Sequence, residues 1–303
     1  MNLRYFIAGI IVIIFAVFEI LPKAAIKLPV YSQSPPQIES AKTSQKAYPI
    51  PINNFKDASP ITATSAVVID FKTGNTLFEK DPNLKHLPAS TVKLITALVA
   101  LQKCSPETVV TVGDVQKTGS QMGLSSGDQI TVENLLYGLL INSGNDAAYA
   151  LATNCASSAS EFVDSMNAKT QSLNMQNTHF ANPAGFDNDL QYSTANDLAK
   201  LARVAVGNPQ IAKIVATKST VVTDVSGNKT YYLQNVNQLI GEVYGVEGVK
   251  TGETDGSLEN LITKTTRGDN SIITVVLGSQ KRFDESKMLI EWTFANFHWV
   301  KPN

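Results

Sequence analysis

The sequence predicts an α/β fold of the α+β kind: one antiparallel sheet covered by helices, with a helical subdomain inserted in the middle. Three observations carry this expectation. Strand-like runs sit at both ends of the folded region, near 65–79 and again between 219 and 278. Neighbouring runs are joined by turn residues, as in Phe71-Lys72-Thr73-Gly74 and Arg267-Gly268-Asp269-Asn270, which make hairpins rather than crossovers. The stretch between them, about 105–210, carries helical patterns. A chain of 303 residues is long enough to bury a sizeable core, as one large or two small domains. A net charge of −1 offers no basic surface for nucleic acid and no strong steering field.

The chain opens with Arg4 and then an apolar run, residues 5–21, broken only by Glu19 and ended by Pro22. As a helix this run reaches about 26 Å, just short of a bilayer core. No good Ala-x-Ala site follows it, so residues 1–22 read as an uncleaved N-terminal anchor, with a cleaved signal peptide as the rival. Either reading puts the rest outside the cytoplasm. Residues 23–60 read as a flexible linker, polar and proline-bearing from Tyr31 to Pro60. Thirty such residues span about 30 Å root-mean-square, enough to hold a domain off a membrane. The folded domain is expected from 61 to 303.

In that domain, strands are expected at 65–70 and 75–79, then a helix from Pro88 to Leu101 that is apolar on nearly every side after Lys93 and therefore buried. A short strand candidate is 109–112. Helices are expected at 134–141, from Asn145 onward, at 159–173 and at 193–206. Past Ile211 the pattern returns to strands: 220–223, 229–233, 246–251, 260–266 and 271–278, before a closing helix at 283–297. The two cysteines, Cys104 and Cys155, form no Cys-x-x-Cys pair and do not suggest a metal site; two buried thiols or, in an exported domain, a disulfide remain as readings.

Chemistry enters at the buried helix. Ser90 and Lys93 are three residues apart and share a face. A lysine amine beside a serine hydroxyl can serve as its base when burial or a second cation pulls the ammonium pKa down. The helix start also aims free N–H groups at Ser90, which suits a developing oxyanion. Ser-x-x-Lys by itself is a weak signal: Ser226-Gly227-Asn228-Lys229 repeats it in what reads as a hairpin turn.

Two further motifs follow in order, Ser143-Gly144-Asn145 and Lys250-Thr251-Gly252. With Ser90-x-x-Lys93 they resemble the signature set of the serine penicillin-recognising enzymes. The flanks Leu87-Pro88-Ala89-Ser90, Phe180-Ala181-Asn182-Pro183-Ala184-Gly185 and Tyr192-Ser193-Thr194-Ala195-Asn196-Asp197 are similar to those of the D-alanyl-D-alanine carboxypeptidases among the low-molecular-mass penicillin-binding proteins. Order and context select these copies over the decoys Lys72-Thr73-Gly74 and Ser226-Gly227-Asn228. The resemblance implies a β-lactamase/DD-peptidase-like fold and no cofactor or metal. It makes Ser90 the acylated nucleophile, Lys93 its neutral base and Ser143 a proton relay to the leaving amine. Asn145 would hold the substrate amide. Lys250 would lower the pKa of Lys93 and draw in the substrate's terminal carboxylate, which Thr251 would bond. Gly252 would let the substrate backbone lie along an edge strand. The N–H groups of Ser90 and Glu253 would form the oxyanion hole. Implied partners are the D-Ala-D-Ala end of a peptidoglycan stem peptide, β-lactam antibiotics as covalent inhibitors, and a membrane reached by the N-terminal segment, on the extracytoplasmic face. One departure stands out: Gly256-Ser257-Leu258-Glu259-Asn260 replaces the family's small Ala-Gly step after Lys250-Thr251-Gly252.

Four other readings compete. A β-lactamase or a DD-endopeptidase would share the motifs, but the class A β-lactamase glutamate has no counterpart around 182–186. A Ser-His-Asp hydrolase would need one of His86, His179 or His298, and no Gly-x-Ser-x-Gly is present. A non-enzymatic wall-binding module would require Ser90 or Lys93 to be idle.

Overall fold

The computed structural model describes residues 47–301; the expected N-terminal anchor and most of the expected linker lie outside the described residues. In chain order the elements are β1 (Tyr48–Pro51), β2 (Ser65–Asp70), β3 (Thr76–Lys80), a 3₁₀ turn (Ala89–Val92) running into α1 (Lys93–Lys103), β4 (Val109–Thr111), β5 (Gln129–Thr131), α2 (Val132–Leu140), α3 (Asn145–Asn154), α4 (Ala159–Ser172), α5 (Ala195–Ala205), α6 (Pro209–Ala216), β6 (Ser219–Thr223), β7 (Thr230–Gln234), β8 (Val246–Thr254), β9 (Leu258–Arg267), β10 (Asn270–Ser279), α7 (Arg282–Asn296) and β11 (Phe297–Val300).

A five-stranded sheet in the order β3-β2-β10-β9-β8 forms the centre, and every neighbouring pair is antiparallel. Strand side chains alternate between faces, so each face builds its own core. Val67, Ile69, Ile262, Ile273, Val275 and Leu277 join the helical layer, packing with residues of α1 to α6 such as Leu94, Leu136, Leu151, Leu198 and Ile214. Ala66, Val68, Leu261, Ile272 and Val276 face the other way, against Leu289 and Ile290 of α7. The expected architecture, a sheet fed from both ends of the chain with a helical insert, is the observed one.

The differences are local. The β6–β7 hairpin is a separate two-stranded sheet rather than part of the central one. Residues 209–216, expected to lead back to strands, form α6; Asn208 caps it by accepting from the N–H of Gln210 (2.9 Å) and Ile211 (3.3 Å), with Pro209 in the first turn. Residues 48–51, inside the expected linker, form β1 and pair antiparallel with β11. Phe55 packs edge-on to Trp292 and Phe297 (ring centroids 5.6 and 5.8 Å), so this part of the segment is held against α7 by aromatic contact that its proline-rich composition conceals. The decoy Lys72-Thr73-Gly74 is the β2–β3 turn, braced by Asp70 accepting from the N–H and hydroxyl of Thr73 (2.7 Å each). Ser226-Gly227-Asn228 is the turn of the β6–β7 hairpin.

Cys104 and Cys155 are bonded to each other. They are the C-terminal caps of α1 and α3. The bond therefore ties together the far ends of two helices whose starts carry Lys93 and Asn145.

Candidate active site

Ser90 lies in the 3₁₀ turn that opens α1, where side chains three apart eclipse. That aligns it with Lys93. Ala89, just before it, has φ +47°, and Ser143, in the turn between α2 and α3, has φ +58°. Left-handed backbone in residues with a Cβ is held only by its surroundings. At Ala89 that surrounding is Gly185: a Cβ there would fall 2.1 Å from Ala89 O and 2.8 Å from Ser90 N, so the bare backbone of Gly185 supports the turn from below. Gly252 closes from the other side, its would-be Cβ 3.1 Å from Ser90 N, Pro88 O and Ala89 Cβ. The glycine was expected to make room for a substrate; in the structure the close neighbour is the Ser90 turn itself.

The Lys93 amine is fully buried and surrounded by three oxygens: Ser90 Oγ at 2.7 Å, Asn145 Oδ1 at 2.7 Å and Ala184 O at 2.6 Å. The amide of Asn145 is oriented by its other end, where Nδ2 donates to Thr118 O at 2.8 Å. Asn145 Oδ1 and Ala184 O can only accept. A neutral amine has two N–H bonds and one lone pair. Both N–H bonds go to these oxygens, and the lone pair is left pointing at the Ser90 hydroxyl. Burial, and then the charge of Lys250, hold the Lys93 pKa well below its usual value, with Asp146 pulling it back up. The geometry and the electrostatics thus favour the same protonation state.

Lys250 is also buried, 2% exposed, on edge strand β8. Its amine donates to Ser143 Oγ (2.9 Å) and to Thr251 O (3.0 Å). Burial and the nearby Arg282 guanidinium lower its pKa to about 7. Ser90, Ser120, Ser143, Val236, Thr251, Gly252, Glu253 and Arg282 line one cleft of about 110 Å³. The structure therefore brings together all eight residues singled out in the sequence: six line the cleft or bond its lining, and Lys93 and Asn145 lie just beneath it. Lys250 reaches Ser143 rather than Ser90 directly. Two larger surface hollows, one beside Asn174 and His179 and one between Lys103 and Lys169, hold no paired nucleophile and base.

Sequence reasoning missed four contributors. Ala184 supplies a carbonyl, invisible as chemistry; its signal is Asn182, whose Oδ1 accepts from the N–H of Ala184, Gly185 and Phe186 (3.2, 2.7 and 3.0 Å) and shapes that turn. Arg282, 8% exposed, donates to Gly252 O (3.1 Å) and pairs with Glu253 (2.9 Å) from the start of α7. Ser120 lines the cleft, and Asp146 is buried behind it, bonded to the backbone N–H groups of Met122, Gly123 and Leu124. None of the three histidines lines the cleft; His86 bonds Ser257 O and His179 bonds Leu190 O, both at 2.8 Å. Of residues 182–186, the one bonded to Lys93 is Ala184, through its backbone carbonyl.

Comparison with known proteins agrees with this geometry. The profile of the D-alanyl-D-alanine carboxypeptidase family, peptidase S11, matches residues 53–281. The chain is 33% identical over 245 residues to the D-alanyl-D-alanine carboxypeptidase DacF of Bacillus subtilis, covering 78% of this chain and 63% of DacF. It is 34% identical over 266 residues to DacC of Escherichia coli, covering 81% and 64%. It thus spans a little under two thirds of the length of these relatives. Among solved structures, the Streptomyces K15 DD-transpeptidase superposes with a TM-score of 0.75 at 31% identity, over 79% of this chain and all of that one. A penicillin-binding protein homologue from Mycobacterium tuberculosis gives 0.76 at 30%, over 81% and 96%. The chain belongs to the D-alanyl-D-alanine carboxypeptidase family.

Proposed function

We propose that this chain is a serine D-Ala-D-Ala carboxypeptidase that removes the terminal D-alanine from peptidoglycan stem peptides. One observation carries the proposal: a fully buried Lys93 amine, its pKa held well below the usual value by burial, that lies 2.7 Å from Ser90 Oγ with two carbonyl acceptors beside it. In the acylation step the Ser90 O–H proton passes to Lys93 Nζ as Oγ attacks the carbonyl carbon of the penultimate D-alanine. The oxyanion forms against the N–H groups of Ser90 and Glu253. The C–N bond then breaks, and the leaving amine takes the proton that Lys93 received from Ser90, relayed through Ser143, whose hydroxyl is held by accepting from Lys250; Lys93 is thereby neutral again. Lys250, Thr251 and the adjacent Arg282 form the cationic end that receives the terminal carboxylate; Asn145 and the edge of β8 hold the peptide, as in strand addition. Water, deprotonated by Lys93, attacks the ester carbonyl, releases the shortened peptide and returns the proton to Ser90.

β-Lactams, which present a carboxylate and a reactive carbonyl at matching positions, acylate the same serine. Location is extracytoplasmic, with residues 1–22 anchoring the domain to the cell membrane. The apolar run supports this, and the Cys104–Cys155 bond suits an oxidising compartment. Among the described residues no helix is long and apolar enough to cross a membrane.

The test is intact mass after exposure to benzylpenicillin, together with release of D-alanine from an acyl-D-Ala-D-Ala peptide with and without an amine acceptor. The expected result is one covalent adduct and D-alanine release, both lost in Ser90→Ala. An adduct that survives Ser90→Ala would show that another serine is the nucleophile. Transfer to the amine in preference to water would make the enzyme a transpeptidase.

A further inference from the structure

α3 begins Asn145-Asp146, and the Asp146 carboxylate has no part in the chemistry above. It is 2% exposed and accepts four backbone N–H groups: Met122 (3.0 Å) and Ala147 (2.9 Å) on Oδ1, Gly123 (2.9 Å) and Leu124 (3.0 Å) on Oδ2. Three consecutive amides of a non-helical segment converge on one buried charge. The segment 118–124 is thereby strapped across the start of α3. It returns two bonds to the neighbouring residue: Thr118 O accepts from Asn145 Nδ2 (2.8 Å), and Ser120 O accepts from Asn145 N (2.7 Å). Gly119 lies against the same amide; it has φ +73°, and a Cβ there would fall 2.6 Å from Asn145 Nδ2. Ser120 completes the cleft wall.

The orientation of the Asn145 amide decides where the Lys93 lone pair points. With Oδ1 inward it consumes one N–H of the amine. Turned over, it would offer N–H donors, and the lone pair would accept from Asn145 instead of from Ser90. Thr118 O is the contact that opposes the turn, and Asp146 grips the same segment four residues on, at Met122 to Leu124.

We propose that Asp146 is a positioning residue for acylation: its carboxylate grips the strap 118–124, and the strap holds the Asn145 amide in the orientation that aims the Lys93 lone pair at Ser90. This rests on the roles assigned to Ser90 and Lys93 above. The charge of Asp146 acts on Lys93 as well. Of the formal charges facing that amine, Lys250 on β8 lowers its proton affinity and Asp146 on α3 raises it, while Arg282 acts on Lys250.

The experiment compares full-length wild type, Asp146→Asn and Gly119→Ala in kcat/KM for D-alanine release against pH, in the rate of benzylpenicillin acylation, and in amide exchange. For Asp146→Asn, kcat/KM is expected to fall at least about tenfold, toward the hundredfold that a 1 Å misplacement produces. The acid limb of its profile moves to lower pH, because a negative neighbour of Lys93 is gone; a purely structural loss would leave the limb where it was. The amides of Met122, Gly123 and Leu124 lose exchange protection. Gly119→Ala, in an exposed loop, keeps the charge and perturbs the amide from the strap side; a similar fall with an unmoved limb is expected. Asp146→Asn within twofold of wild type overturns the proposal, as does a fall in activity with the strap still protected. Should Asp146→Asn fail to fold, Gly119→Ala decides alone, and activity within twofold of wild type rejects the strap. A wild-type protein that neither reacts with benzylpenicillin nor releases D-alanine refutes the enzymatic reading instead; exchange protection at residues 122–124 still reports on the grip.

Discussion

Removing the Cys104–Cys155 bond separates two things the bond does, stabilising the domain and bracing the site. The cysteines are 51 residues apart in sequence. In the chain-entropy treatment a loop of that length restricts the unfolded chain by about 14 cal/mol/K, or about 4 kcal/mol at 25 °C. Unfolding entropy of about 2.1 cal/mol/K per residue over the 255 described residues converts this to a fall in Tm of about 8 °C. The assay is a thermal melt of Cys104→Ala/Cys155→Ala beside wild type, with wild type under reductant as a second arm, since alanine also removes packing around the half-buried Cys104. The bond joins the C-termini of α1 and α3, more than two turns from Lys93 and Asn145, so acylation by benzylpenicillin at 25 °C, well below either midpoint, is expected to stay within about twofold. A drop in Tm under about 2 °C would show that the folded state loses as much strain as the unfolded chain loses constraint. Full stability with a large loss of acylation would show that the bond shapes the site.

Three further outcomes follow from the site. Lys93→Met is expected to slow benzylpenicillin acylation by about 10²- to 10⁴-fold, the range of a lost general base, with the circular dichroism of the fold retained. With Lys93 as the proposed base, kcat/KM needs it deprotonated, so activity is expected to be lost as pH falls through its lowered pKa; because the Lys250 charge contributes to that lowering, Lys250→Gln is expected to move the acid limb to higher pH, besides raising KM for a carboxylate-bearing peptide. An unmoved limb would mean that the two amines are not coupled. Gly185→Ala, at φ +94° with a Cβ 2.1 Å from Ala89 O, must displace the nucleophile turn; a loss of at least about 1–3 kcal/mol in stability is expected with a fall in acylation, read by melt and by adduct formation.

How much of this was legible in the sequence depends on where each interaction lives. The sheet and its helical insert were readable because period and turn residues are local: Gly268 and Asp269 announce the β9–β10 hairpin, and Thr131 and Thr194 announce helix starts by capping Asn134 N and Asp197 N. α6 was missed although Asn208-Pro209 is a helix-start signal, because the eight residues it opens are too few to show a period. β1 was missed because its reason to be ordered lies some 250 residues away, in β11 and the aromatic cluster of α7. The same division runs through the site. Side chains with a chemical identity of their own, Ser90, Lys93, Ser143 and Lys250, could be named in advance. Ala184 could not, because a carbonyl belongs to every residue and only the turn built by Asn182 singles this one out.

Arg282 and Asp146 fall between these cases, and their placement shows how the cleft is tuned. Each is an ordinary charged residue at a helix start, with nothing in its neighbours to mark it. Arg282 approaches from α7, on the far side of the sheet from the catalytic helices, and reaches the cleft at the edge of β8. Asp146 approaches from α3, within the helical layer. One pushes protons off Lys250, the other holds them on Lys93. The two amines are buried without a carboxylate bonded to either, so their proton affinities are set by burial and by these neighbours rather than by direct ion pairs. The proposed base must be neutral and the proposed carboxylate-binding cation charged, and the two can share one cleft only if something distinguishes them. Here the distinction is that Lys93 already has two carbonyl acceptors and a hydroxyl to complete a neutral amine, whereas Lys250 bonds only Ser143 Oγ and its neighbour's carbonyl, so that when protonated it has a further N–H to offer an incoming anion.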